Sequence, residues 1–169
     1  AVLDAPVGGE LASFLHGQTG GNPYFLEELL RYLRATDLLE TTADGYALAG
    51  RDAVEVPETL DGLLVGRIDA LPPGAREPVK GASVVGRRFW TGHLAATLDR
   101  DVDRPVGTLT DRGMVTPREE STLHDDEELA FEHDLLRDAA YGLLPESTRV
   151  ELHGGVATEL VDAVDGEGT

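Results

Sequence analysis

The chain has 169 residues, 41% of them hydrophobic and 27% charged, with 32 acids against 14 bases, a formal net charge of -18 and no cysteine. A chain of this length buries about 70% of its unfolded surface on folding, enough for one domain or two small ones. The absence of cysteine excludes disulfides, thiolate zinc sites and a cysteine nucleophile, and no apolar run approaches the roughly 20 residues a membrane span needs.

Of the bases only Lys80 is a lysine. The field of the acid excess repels phosphate backbones and anionic membranes, because binding to either rests on Lys and Arg, so DNA contact is disfavoured from the outset. An acid-rich, lysine-poor surface also suits a salty cytoplasm, where screening removes the self-repulsion. The chain starts at Ala1 without the basic and apolar regions of a signal peptide, which reads as a cytoplasmic piece of a longer protein.

Leu11, Phe14 and Leu15 predict a helix over residues 8–18, ended by Thr19-Gly20-Gly21. A second helix starts with Asn22 as N-cap and Pro23 at its first position. It places Glu27 and Glu28 near its positive end and runs to about Ala35 on a stripe of Phe25, Leu26, Leu29, Leu30 and Leu33. Tyr46 to Leu48 predict a short strand behind the turn Ala43-Asp44-Gly45. Pro57 is read as opening a third helix with Leu60, Leu63, Leu64, Ile68 and Leu71 inward, stopped by Pro72-Pro73.

Short helices follow at about 75–85, 91–98 and 103–112. Then come a strand at Met114 to Thr116, an acidic turn from Glu119 to Glu128 and a strand at Leu129 to Phe131. Three helices and a hairpin in this order predict a winged helix. A further helix starts at His133 with Leu135, Leu136, Ala139, Ala140, Leu143 and Leu144 inward. A last one runs from Pro145 to about Val164 with Val150, Leu152, Val156 and Leu160 apolar. The fold class is mainly α, divided into a helical subdomain over 1–72 and a winged-helix domain with C-terminal helices over 73–169.

Lys80 stands outside any glycine-rich phosphate loop, so nucleotide hydrolysis by this chain alone is not expected and it is read as no enzyme by itself. The five histidines form no H-E-x-x-H or other paired spacing for a metal, and His124 to Glu128 lacks the order of a calcium loop and reads as a solvated wing tip. Ser83 misses the nucleophile-elbow spacing and belongs to a core. In the third helix of the winged unit Asp101, Asp103 and Asp111 outnumber Arg104 and Arg112. Arg87-Arg88 is expected to be solvated or paired with carboxylates. Two stretches keep chemical potential. In Gly20-Gly21-Asn22-Pro23 glycines allow close backbone approach, the proline presents a flat apolar face and a helix dipole points at the loop. His133 at a helix start can donate a hydrogen bond to a phosphate.

Three segments, in order, resemble a family. TGGNPYFLEELLRYL (Thr19–Leu33) looks like the GxP segment of STAND-class signal-transduction ATPases. That class includes LuxR-type regulators, adenylate cyclase-associated AAA-like ATPases, plant resistance proteins and the apoptosome ATPase. VPETLDGLLVGRIDALPPGAREPVKGASVVGRRF (Val56–Phe89) is similar to the join between the lid and the winged helix in bacterial members. FEHDLLRDAAYGLLPESTRVELH (Phe131–His153) resembles their F-x-H-x-L-x-x-x-A-A-Y segment and the Met-His-Asp motif of plant members, with Glu132 where the latter have methionine. The resemblance implies that 1–72 is a helical lid, that Pro23, with Asn22 beside it, contacts adenine, and that His133 senses the β-phosphate of ADP. It further implies a P-loop ATPase domain in cis, ADP or ATP with Mg²⁺ held mostly by that domain, and downstream sensor or effector domains. A carboxylate does not suit a phosphate, so either alternation about Phe131 turns the Glu132 side chain away or the match to the plant motif is a loose one. The alternatives are a DNA-binding winged-helix transcription regulator and an acidic protein-interaction module.

Overall fold

The computed structural model describes residues 4–50, 56–123 and 126–166, without the side chains of 160 and 162–166. The fold is mainly α, with eight helices and five short strands among the described residues. The chain separates into two compact units, Ala1–Ala70 and Leu71–Thr169.

The first unit contains α1 (Gly9–Thr19), α2 (Pro23–Ala35), β1 (Leu39–Thr42), β2 (Gly45–Leu48) and α3 (Leu60–Asp69). Leu11 and Leu15 of α1, Leu29, Leu30 and Leu33 of α2 and Leu63 of α3 share one apolar core, against which Phe14, Phe25 and Leu26 also pack. β1 and β2 form an antiparallel hairpin with Leu39 opposite Leu48 and Thr42 opposite Gly45. Its first strand, LETT, escapes sequence reading because three of its four residues face solvent and it lacks apolar alternation. Pro57 does not open α3: the helix begins at Leu60, where the Thr59 hydroxyl accepts the Gly62 N–H at 3.1 Å and supplies the cap.

The second unit contains α4 (Pro73–Val85), β3 (Arg88–Trp90), α5 (Thr91–Leu98), α6 (Asp103–Asp111), β4 (Val115–Pro117), β5 (Glu128–Phe131), α7 (Asp134–Gly142) and α8 (Glu146–Gly166). The hairpin gains a third strand, giving an antiparallel sheet of order β3-β5-β4. A helix, strand, helix, helix, strand, strand succession closed by that order is the arrangement of a winged helix. Phe89, Leu129 and Phe131 of the sheet are buried, the two phenylalanine rings 5.7 Å apart, as are Val79, Leu94, Leu109 and Leu136 of the helices.

Two expected core contributions are corrected: Leu135 and Leu143 are 47% and 36% exposed. The apolar Val150 is exposed as well. α7 is only nine residues long and buries Leu136, Ala139 and Ala140. That i, i+3, i+4 stripe leaves Leu135 outside it, and Leu143 follows the last helical residue. Ser83 is fully buried, its hydroxyl bonded to the Lys80 carbonyl at 2.6 Å.

Candidate functional site

In the first unit the chain leaves α1 through Gly20 and Gly21, whose φ angles of 58° and 82° favour glycine. Behind them the buried Thr19 hydroxyl donates to the Leu15 carbonyl at 2.8 Å and accepts the Gly21 N–H at 3.4 Å. Asn22 then caps α2, its side-chain oxygen accepting the N–H groups of Tyr24 at 3.0 Å and Phe25 at 3.2 Å. Pro23 has no N–H, and the Leu26 N–H is bonded to the Asn22 carbonyl at 2.9 Å. The first-turn donors of α2 are therefore already used, which removes most of the anion-binding capacity that a helix start otherwise offers. What the turn presents is the exposed face of Pro23, a surface suited to a flat apolar ring rather than to a phosphate.

Beneath this turn lies an arrangement that sequence reading missed. Glu28, read as lying near the positive end of the helix, has no exposed surface, and it pairs with Arg67 of α3, which is 2% exposed. Arg31 reaches the same carboxylate at 3.9 Å and Glu27 at 2.7 Å. Burial, and after it the negative charge of Glu28, push the Tyr24 phenol up to about 12. Burial lowers the Arg67 guanidinium from its usual value, against the pull of Glu28. The sequence did carry a signal: Glu28 falls between Phe25 and Tyr32 on the same face as the leucines, where a carboxylate needs a partner.

In the second unit His133 is the half-buried residue before α7, in extended backbone at φ -142° and ψ 147°, and its side chain makes no capping bond. Its carbonyl accepts the Leu136 N–H at 3.1 Å. Asp134 pairs with Arg87 at 2.9 Å on the surface, and Arg88 approaches Glu128 at 3.5 Å, so both basic neighbours have carboxylate partners. The Glu132 carboxylate accepts the Thr116 hydroxyl at 2.6 Å and is thus held over the sheet. Further along α7 the Arg137 Nε donates to the Ser83 carbonyl at 2.8 Å. The guanidiniums of Arg137 and Arg149 lie 5.1 and 4.6 Å from the ring centre of Tyr141, fixing α7 against α4 and the start of α8.

The described residues of the wing are held by specific hydrogen bonds. Glu128, expected in the solvated turn, is fully covered and accepts both the N–H and the hydroxyl of Thr122 at 2.9 Å. The Asp126 carboxylate accepts the Gly92 N–H at 2.8 Å and the His93 N–H at 3.3 Å, capping α5. His124 and Asp125 lie outside the described residues. An open cleft of about 400 Å³ runs along the sheet, lined by Thr116, Pro117, Arg118, Glu119, Glu120 and Ala130. Among the described residues no group of three or more His, Asp or Glu is placed to hold a metal ion, and no helix is long and apolar enough to cross a membrane.

Asn22 and Pro23 thus share one turn of the first unit, while His133 belongs to the second. Compared with family models, with curated proteins and with solved structures, the chain matches none.

Proposed function

We propose that the chain is the lid and winged-helix part of a cytoplasmic STAND-type ATPase, a regulatory element that senses the nucleotide on a P-loop domain in cis. The observation that carries this reading is the position of His133 directly after the last strand of a winged-helix sheet, at the start of α7. In support, the Asn22-capped turn of the other unit presents a proline and spends its own N–H donors, which suits contact with a flat ring better than a phosphate cradle, which needs free donors. A ligand biases an open-closed equilibrium only through contacts that differ between the states. A lid proline and a winged-helix histidine gripping one ADP supply such contacts. ADP or ATP with Mg²⁺ is held mainly by the P-loop domain, and sensor or effector domains downstream read the switch.

The test is the ADP retained on purification by the parent protein, with and without His133→Ala. Loss of one charge-assisted hydrogen bond of about 1.5–3 kcal/mol shifts the closed state by roughly tenfold to a hundredfold. Equal retention by both proteins at unchanged melting temperature rejects the sensor role. The winged-helix arrangement favours a second reading, a DNA-binding regulator. Against it, α6, the third helix of the unit, carries Asp103 and Asp111 beside Arg104, and Arg87, Arg88 and Arg118 are engaged with carboxylates. Tight, salt-sensitive binding to duplex DNA would establish that alternative.

A further inference from the structure

We infer that Glu28 and Arg67 are positioning residues, a buried pair that fixes the rotation of α2 on α3 and thereby the direction in which the Asn22–Pro23 turn points. The inference rests on the proposed function for what the turn contacts, and it concerns how that contact is aimed.

The α2–α3 interface has one feature that sets distance and one that sets register. Distance comes from Gly66, where a Cβ would lie 2.5 Å from the Tyr32 ring, so the two helices approach as closely as a bare backbone permits. A glycine under an aromatic ring is smooth, and the leucines around it attract without direction, so neither prevents α2 from turning about its axis. The directional contact is the ion pair next to it, with side chains 0% and 2% exposed. Taking both charges out of water costs about as much as their attraction returns, and the best-attested use of such pairs is to fix register rather than to add stability.

Tyr24, Glu28 and Tyr32 are spaced i, i+4 and i+8, one above the other on a single face. Glu28 therefore lies about 6 Å along the axis from Tyr24, the residue that follows Pro23. The two are close enough for the charge of Glu28 to act on the Tyr24 phenol. A rotation of α2 by about 20° displaces an atom 5 Å from its axis by roughly 2 Å, beyond the tolerance of a productive contact. The pair is thus placed to set where Pro23 lies.

The test compares Arg67→Met with the double variant Glu28→Met, Arg67→Met, which keeps the volume and removes both charges. Arg67→Met leaves the buried carboxylate without its close partner, with Arg31 at 3.9 Å, and is expected to lower the melting temperature by on the order of 10 °C. The double variant is expected to recover most of that loss while the backbone amide signals of Asn22, Tyr24 and Phe25 shift or broaden in ¹⁵N NMR spectra. In the parent protein its ADP affinity is expected to fall about tenfold. A double variant that melts as low as Arg67→Met shows a pair kept for stability and overturns the inference. Recovered melting with unmoved signals overturns it as well. Moved signals with unchanged ADP affinity uphold the positioning of the turn and reject the nucleotide contact instead.

Discussion

Replacing Glu128 by glutamine isolates what a buried carboxylate contributes at the foot of the wing. Its two oxygens are covered, yet the arginines over it, Arg88 at 3.5 Å and Arg118 at 3.4 Å, are about half exposed, so each pairing is screened and contributes a few tenths of a kcal/mol. The main loss is in the two bonds from Thr122, at 2.9 Å each. Hydrogen bonds to a charged acceptor stabilise by about 1.5–3 kcal/mol, but glutamine keeps one oxygen and water reaches Thr122. Glu128→Gln is therefore expected to cost about 1.5 kcal/mol, which in a unit of near 100 residues is roughly 6–12 °C. The Thr122 N–H holds the Glu128 carboxyl below its usual 4.5, burial opposes this, and the Thr122 hydroxyl and Arg88 add to it. With the folded value below the unfolded one, the stabilisation is present above about 4.5 and is lost as pH falls through the folded value. Calorimetric melting of both proteins at low salt should show the full difference at pH 7 and its progressive loss below 4.5. A difference that persists undiminished to pH 3, or none at pH 7, refutes the reasoning.

Gly45→Ala should be among the most damaging changes in the first unit. At φ 116° a Cβ there would lie 2.2 Å from the Pro6 carbonyl oxygen, which accepts the Tyr46 N–H at 2.9 Å. A cost of at least ~2 kcal/mol is expected, read as a lower urea midpoint, and a wild-type midpoint would refute it. For the whole chain, the net charge of -18 predicts a melting temperature that rises between 0.1 and 1 M NaCl, as the Debye length shortens from about 10 to about 3 Å. A flat or falling series would show that self-repulsion is not a significant term.

Most helices were legible because their starts are written in local chemistry. Asn22-Pro23 needs only its own side-chain oxygen and a fixed φ, and the observed cap uses both. The elements that were missed lack a local signature: LETT at Leu39–Thr42 is polar on an open edge, and Arg88–Trp90 is three residues whose strand character comes from pairing with β5. Burial of charge was missed for a different reason. Glu28 and Glu128 look like surface acids in a chain with 32 of them, and their burial depends on partners that the fold brings to them, Arg67 for the one and Thr122 with Arg88 for the other. The end of α7 at Gly142 was likewise invisible, so Leu143 was assigned to a face on which the helix no longer continues. Of the site, the turn at Asn22 and the helix start at His133 could be read, whereas the pair beneath the turn could not.

Under the proposed function, the acid excess bears on how the chain can close over an anion at all. A -18 chain closing over ADP brings like charges together. Under the proposed function it contributes groups that add no permanent cation to the site, the apolar face of Pro23 and the imidazole of His133, and leaves the phosphate charge to the P-loop lysine and Mg²⁺. Seven of its basic residues, Arg31, Arg67, Lys80, Arg87, Arg88, Arg118 and Arg137, are already paired with its own carboxylates. The consequence is a salt dependence of unusual sign. Where lysines and arginines dominate, salt weakens nucleotide binding. Here closure works against repulsion between lid and phosphates, and screening that repulsion strengthens it. The dissociation rate of ADP from the parent protein is therefore expected to fall severalfold between 0.1 and 1 M NaCl, measured by stopped-flow displacement of a fluorescent ADP. A rate that rises with salt would mean that cations of this chain reach the phosphates after all, and that the division of labour between lid and P-loop domain is wrong.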